Sequence, residues 1–241
     1  MNSHVTVTGG RFLTPFGLFN ERISPIWINK FQDAPVIASI GTAAGYSNGF
    51  MLRGAMLSNE KIAVNYSAYF STLSTIEHFE SERGTGGRVG VFVPSTRLEI
   101  GMSYERRLQQ PRMNSFGNDI SWSPRGTPLE VKGEWAHAPG GHGYWIQAAY
   151  RLSQIGGATS PLGRVEPVLR MQQFFRTQQI ANDSLPGRNL RRPDIGVNYY
   201  LPHEVRLNAS YGRQYGSQAT DVNVWQFGVT YRFLFPLWRG E

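Results

Sequence analysis

In DVNVWQFGVTYRF, the stretch from Asp221 to Phe233, every second side chain from Trp225 onward is apolar. Trp225, Phe227, Val229, Tyr231 and Phe233 alternate with Gln226, Gly228, Thr230 and Arg232. A period of two belongs to a β-strand with one apolar and one wetted face. The alternation outlasts the about 5 to 6 residues usual for strands and reaches the roughly 9 to 11 that a tilted strand needs to cross a bilayer. Mean hydropathy, −0.34 with 40% hydrophobic residues, is too polar for helical spans, and no run of about 18 apolar residues exists. Both observations fit a transmembrane barrel, in which wetted residues dilute the lipid-facing ones in any average. A soluble or surface-attached all-β domain that binds a ligand is the competing reading.

The same alternation recurs along the chain. It predicts strands at His4 to Phe12, Gly49 to Leu57, Lys61 to Phe70, Gly87 to Val93, Thr96 to Arg107 and Ser115 to Ser123. Further strands are expected at Leu129 to His137, Gly143 to Leu152, Arg164 to Phe175, Pro193 to Leu201 and Glu204 to Arg213. With Asp221 to Phe233 this makes an all-β, antiparallel transmembrane β-barrel fold of about twelve strands in a single domain over residues 1–241. Pro167 weakens the ninth strand, because proline cannot donate to a ladder. Counting back from a last strand that ends in the periplasm, the short links near Ser58, Pro94, Pro124 and Pro202 fall on the periplasmic side. Longer ones, including Leu13 to Tyr46, Ser71 to Thr85 and Thr177 to Arg192, fall outside. Ala138 to Gly141 is short for an outer loop, and Ser153 to Leu162 is long for a turn. Tyr150, Tyr199, Tyr231 and Phe233 then lie near one rim, and Phe70, Tyr104, Trp135, Tyr144, Tyr211 and Trp225 near the other, as aromatic belts.

Leu13 to Tyr46 is the longest irregular stretch, and loops of this length are usually functional or disordered. Trp27, Ile28 and Phe31, following a turn of helix after Pro25, would anchor it. Anchors of this kind are costly in water, so the loop at 13–46 is expected to fold into the lumen as a candidate constriction with Glu21, Arg22, Lys30 and Asp33 near its narrowest point. An ordinary surface loop is the plain alternative.

GRFLTPFGLFNERISP (Gly10 to Pro25), continuing into WINKFQDAP, resembles the bacterial outer-membrane porins of the phosphate-selective porin O and P type. NVWQFGVTYRF resembles their terminal strand, although LFPLWRGE follows Phe233 here. The resemblance covers both ends and reaches the middle only through strand rhythm. It implies an outer-membrane channel of about sixteen strands, of which this chain is the carboxy-terminal portion, and so accounts for the missing signal peptide after Met1. It further implies the lipid bilayer, small solutes or anions, and further copies in a homotrimer as partners.

If apolar residues face lipid, the opposite phase lines the lumen. That phase holds Arg53, Lys61, Arg88, Arg97, Lys132, Arg151, Arg170, Arg206 and Arg232, against Glu99, Glu130, Glu134, Glu166, Asp194 and Glu204. Rings of Arg and Lys favour anions, and the net charge of +7 agrees. Pairing of these charges across strands, merely holding the wall, is the alternative. Only Arg22 and Lys30 supply base in the loop, short of the dense basic cluster that phosphate selectivity implies.

Signals for chemistry are sparse. There is no cysteine, which excludes disulfides and thiol catalysis. His137 and His142 lack a third ligand at useful spacing, so no metal site is expected. No GxSxG, Walker or dinucleotide fingerprint is present, and GTGGRVG opens a strand rather than a helix. Basic residues alternate along strands instead of forming a patch, which argues against nucleic acid. The expectation is a non-enzymatic porin without cofactors, passing small hydrophilic solutes with a mild anion preference; an outer-membrane barrel enzyme is the alternative within membranes.

Overall fold

The computed structural model describes residues 5–25, 27–41, 45–58, 60–157, 160–181, 183–216 and 221–232. Within them the chain forms a 12-stranded antiparallel sheet whose strands pair in sequence order. The strands are β1 (Thr6–Leu13), β2 (Tyr46–Ser58), β3 (Ala63–Ser71), β4 (Gly84–Val93), β5 (Leu98–Arg107) and β6 (Met113–Trp122). They continue as β7 (Leu129–Ala138), β8 (Gly141–Tyr150), β9 (Val165–Arg176), β10 (Leu190–Tyr200), β11 (Val205–Gly216) and β12 (Val222–Tyr231). Among the described residues β1 pairs with β2 and β12 with β11 only, so the sheet is not closed.

The two faces are the reverse of a soluble domain. Val89, Ile100, Met102, Ile146, Leu169, Ile195, Trp225, Phe227 and Val229 are exposed on one face, whereas Arg88, Ser103, Asp119, Glu134, Gln147, Arg170 and Asn198 are buried on the other. Water would demand the opposite, and a sheet surrounded by hydrocarbon demands this arrangement. The aromatic pairs Tyr104–Phe116 and Tyr211–Trp225 sit directly across strands on the apolar face, with ring centroids 5.1 and 4.5 Å apart.

Twelve strands are borne out, with changes at their ends. β3 begins at Ala63 and β5 at Leu98, so Lys61 and Arg97 belong to links, Arg97 with a φ of 53°. β12 ends at Tyr231, which leaves Arg232 beyond it; His4 and Phe233 lie outside the described residues. Pro167 is tolerated because β9 pairs with β8 only from Val168 onward, so the missing donor falls past that ladder. Pro193 interrupts instead: β10 pairs with β11 at Arg191 and again at Asp194, with a gap between.

Residues 14–45 do not extend away from the strand ends. They turn back over the polar face, and the main apolar core of the described chain lies there. Phe16, Leu18, Phe19, Ile23, Ile37 and Ile40 of the loop pack with Ala136, Ala138, Trp145 and Phe174 of β7 to β9. Each such side chain contributes about 1.5 to 3 kcal/mol when fully buried. The expected anchors require correction. Phe31 is buried, but Trp27 and Ile28 are exposed, because they stand where the loop turns round at the far end of the sheet. A helical turn does follow Pro25, whose carbonyl accepts from Ile28 N and Asn29 N, while a π-helical turn at Phe19–Ile23 carries the deeper anchors.

Candidate functional site

The loop leaves β1 at Leu13 and rejoins the sheet at Tyr46, both at the same end. Between these points it runs the height of the strands. Gly17 N donates to Ser103 Oγ at 3.0 Å, midway along β5, and Leu18 N and Phe19 N donate to Glu134 Oε2 at 2.9 and 3.0 Å. Gly17 has φ +67, and a Cβ there would collide with the Glu134 carboxylate, so glycine is needed both for the turn and for the close approach. Arg22 then reaches Glu99, the second residue of β5, and Lys30 reaches Glu166, the second residue of β9, at the far end of the sheet. On the way back Asp33 meets Arg170 and Arg192, Val36 N donates to Gln172 Oε1 at 2.8 Å, and Ile37 lies against Gly143, where a side chain would displace it.

All four loop charges expected near a constriction meet a strand residue of opposite charge. Glu21 pairs with Arg53, Arg22 with Glu99 at 2.6 Å, Lys30 with Glu166 at 2.8 Å, and Asp33 with Arg170 at 2.6 Å and with Arg192. Burial works to raise the Asp33 pKa, but the Arg170 and Arg192 guanidiniums outweigh it and hold the carboxyl below its ordinary value. Glu82, in the β3–β4 link, goes the other way: burial pushes it up although Arg107 lies 2.7 Å away.

Of the strand positions expected on the wetted phase, Arg53, Arg88, Lys132, Arg170 and Arg206 stand on the polar, loop-covered face. Arg88 is held by Asp119 at 2.6 Å and Glu99 at 3.1 Å, and Lys132 by Glu130 at 3.0 Å. Arg151 lies just past β8, its guanidinium 4.4 Å from the centre of the Tyr200 ring. Lys61, Arg97 and Arg232 lie outside the strands, at their ends. The cross-strand pairing foreseen as an alternative is therefore extensive. Between the loop and β2 to β4 a cavity of about 370 Å³ remains, lined by Glu21, Arg22, Arg53, Asn65 and Arg88.

Sequence reasoning missed Arg107, Asp119 and Arg192. Arg107 and Asp119 are in phase with Glu99 and Ser115 on their own strands, and counting the phase to the strand ends finds them. Arg192 precedes Pro193, which reads as a strand start, whereas β10 begins at Leu190. His137 and His142 face each other across β7 and β8 with ring centroids 6.1 Å apart, stacked in a row with Trp135 and Phe175. Among the described residues no three potential metal ligands cluster.

Comparison with solved structures places this fold among outer-membrane channels. The anion-selective porin from Comamonas acidovorans matches with a TM-score of 0.58 and 13% identity, over 87% of this chain and 63% of that one. The outer membrane channel DcaP of Acinetobacter baumannii matches with a TM-score of 0.56 and 9% identity, over 92% and 70%. The chain thus spans somewhat under two thirds of the porin's length. No protein-family model and no curated protein sequence matches it.

Proposed function

We propose that this chain forms much of the wall, and the constriction, of an outer-membrane channel through which small hydrophilic solutes diffuse passively, with a mild preference for anions. One observation carries the reading: a long loop runs from one end of a strand wall to the other along its polar face, while the opposite face of that wall is apolar. A loop so placed narrows a water-filled passage without filling the membrane. The porin-type fold supports the reading, and one of its matches is described as anion-selective.

The preference is mild because the charges largely pair. Arg53, Arg88 and Arg170 each have an acidic partner, so the field reaching a solute comes from the remaining excess of base, consistent with the net charge of +7. The pairing of Glu21, Arg22, Lys30 and Asp33 with the wall supports a fixed constriction rather than a mobile one. Planar-bilayer recording tests this. Stable conductance steps and a reversal potential of anionic sign in a KCl gradient are expected. A cationic sign would overturn the anion preference, and a protein monodisperse in water without detergent would overturn the channel itself.

A further inference from the structure

At the far end of the sheet, where the loop turns round, its tip meets the links that follow β8 and β10 around a cavity of about 460 Å³. This volume lies within the range of ordinary small-molecule sites. Three guanidiniums line it, from Arg151, Arg206 and Arg232, against one carboxylate, Glu204. Arg232 and Glu204 stand 3.9 Å apart and are both more than half exposed, so they neutralise each other weakly. Arg151 lies over the Tyr200 ring and its Nε donates to Gly163 O at 3.3 Å; Tyr200 is itself fixed by donating to Glu166 at 2.7 Å.

Two further features show a built site. Trp27 is 58% exposed at the loop tip, although Ile23 and Phe31 on either side are buried. In the β10–β11 turn, His203 and Glu204 take φ of 60° and 59°. Two successive left-handed residues are what such a turn usually assigns to Asn-Gly, so other side chains are held there under strain.

We propose that this far-mouth cavity binds an aromatic carboxylate, with its carboxylate on Arg151 and Arg232 and its ring against Trp27. Guanidinium matches carboxylate in charge and in the geometry of its N–H fork. An exposed indole offers a flat apolar face that a simple inorganic anion would leave unused. The excess of base disfavours a cation. Binding of this kind is an equilibrium property of the folded chain and needs no current through a membrane, so it stands or falls apart from channel activity.

Isothermal titration of the full chain in detergent micelles with benzoate, acetate and benzyl alcohol tests it. Benzoate is expected to bind at least tenfold more tightly than either of the others. Trp27→Ala should weaken benzoate about tenfold, Trp27→Phe should restore most of that loss, and Arg232→Gln should weaken it several-fold. Both positions are solvent-exposed, and unchanged far-UV circular dichroism confirms that the variants fold. Acetate binding as tightly as benzoate, no benzoate binding, or Trp27→Ala binding like the parent would each overturn the site.

Discussion

Replacing Glu134 by alanine leaves the N–H groups of Leu18 and Phe19, both buried, without an acceptor. Each orphaned group costs about 1 to 3 kcal/mol, so Glu134→Ala should lower the denaturation midpoint and open the loop to limited proteolysis. Glu134→Gln keeps an accepting oxygen and should stay close to the parent, which separates hydrogen bonding from charge. Asp33 is a loop residue whose charge matters in its own right. Its folded pKa lies below the ordinary value, so its contribution is present above the unfolded pKa and is lost as pH falls through the folded one. The parent's loop should therefore resist proteolysis at neutral and mildly acidic pH and become susceptible only in stronger acid. Asp33→Asn should be susceptible already at neutral pH, with a flatter acid dependence. Loop cleavage measured against pH checks both. None of these partners was legible from local sequence. Glu21, Arg22, Lys30 and Asp33 could be singled out as loop charges, but Leu18 and Glu134 are 116 positions apart, and no periodicity links them.

Strands were far more legible, because their decisive information is local. Alternation at i and i+2 assigns each residue to a face without knowledge of any partner, and β12 shows it: Trp225, Phe227, Val229 and Tyr231 all stand on the exposed apolar face. Strand ends were less legible, since turn residues and prolines blur them. Lys61 and Arg97 slipped into links for that reason, and Arg192 was hidden by Pro193. The faces of β12 yield a direct comparison. Phe227→Arg puts a cation into lipid and should destabilise the folded protein by about 2 to 4 kcal/mol if it sits near the midplane. Gln226→Arg, one residue away on the polar face, should cost much less. Urea unfolding of both variants in lipid vesicles measures the difference.

Across the whole molecule, legibility ended at the interior. An amphipathic wall could be inferred, yet the polar face is not polar throughout: Ala136, Ala138, Trp145 and Phe174 form an apolar area within it, shaped for the loop. Strict alternation of apolar outside and polar inside cannot anticipate that patch, whose reason lies in residues 14–45. Among the described residues the wall itself is a chain of neighbours, each strand hydrogen-bonded only to those before and after it in sequence. The loop crosses that order, joining Gly17 to β5, Leu18 to β7, Lys30 to β9 and Gln32 to β11. It also precedes every one of these partners in sequence. A segment made early whose partners come late has a timetable imposed on it: it must wait, unfolded or loosely held, until strands as far as β11 exist. Distant pairings of this kind are slow to form. During refolding into vesicles, sheet circular dichroism should therefore reach its final value before the loop gains protection from protease.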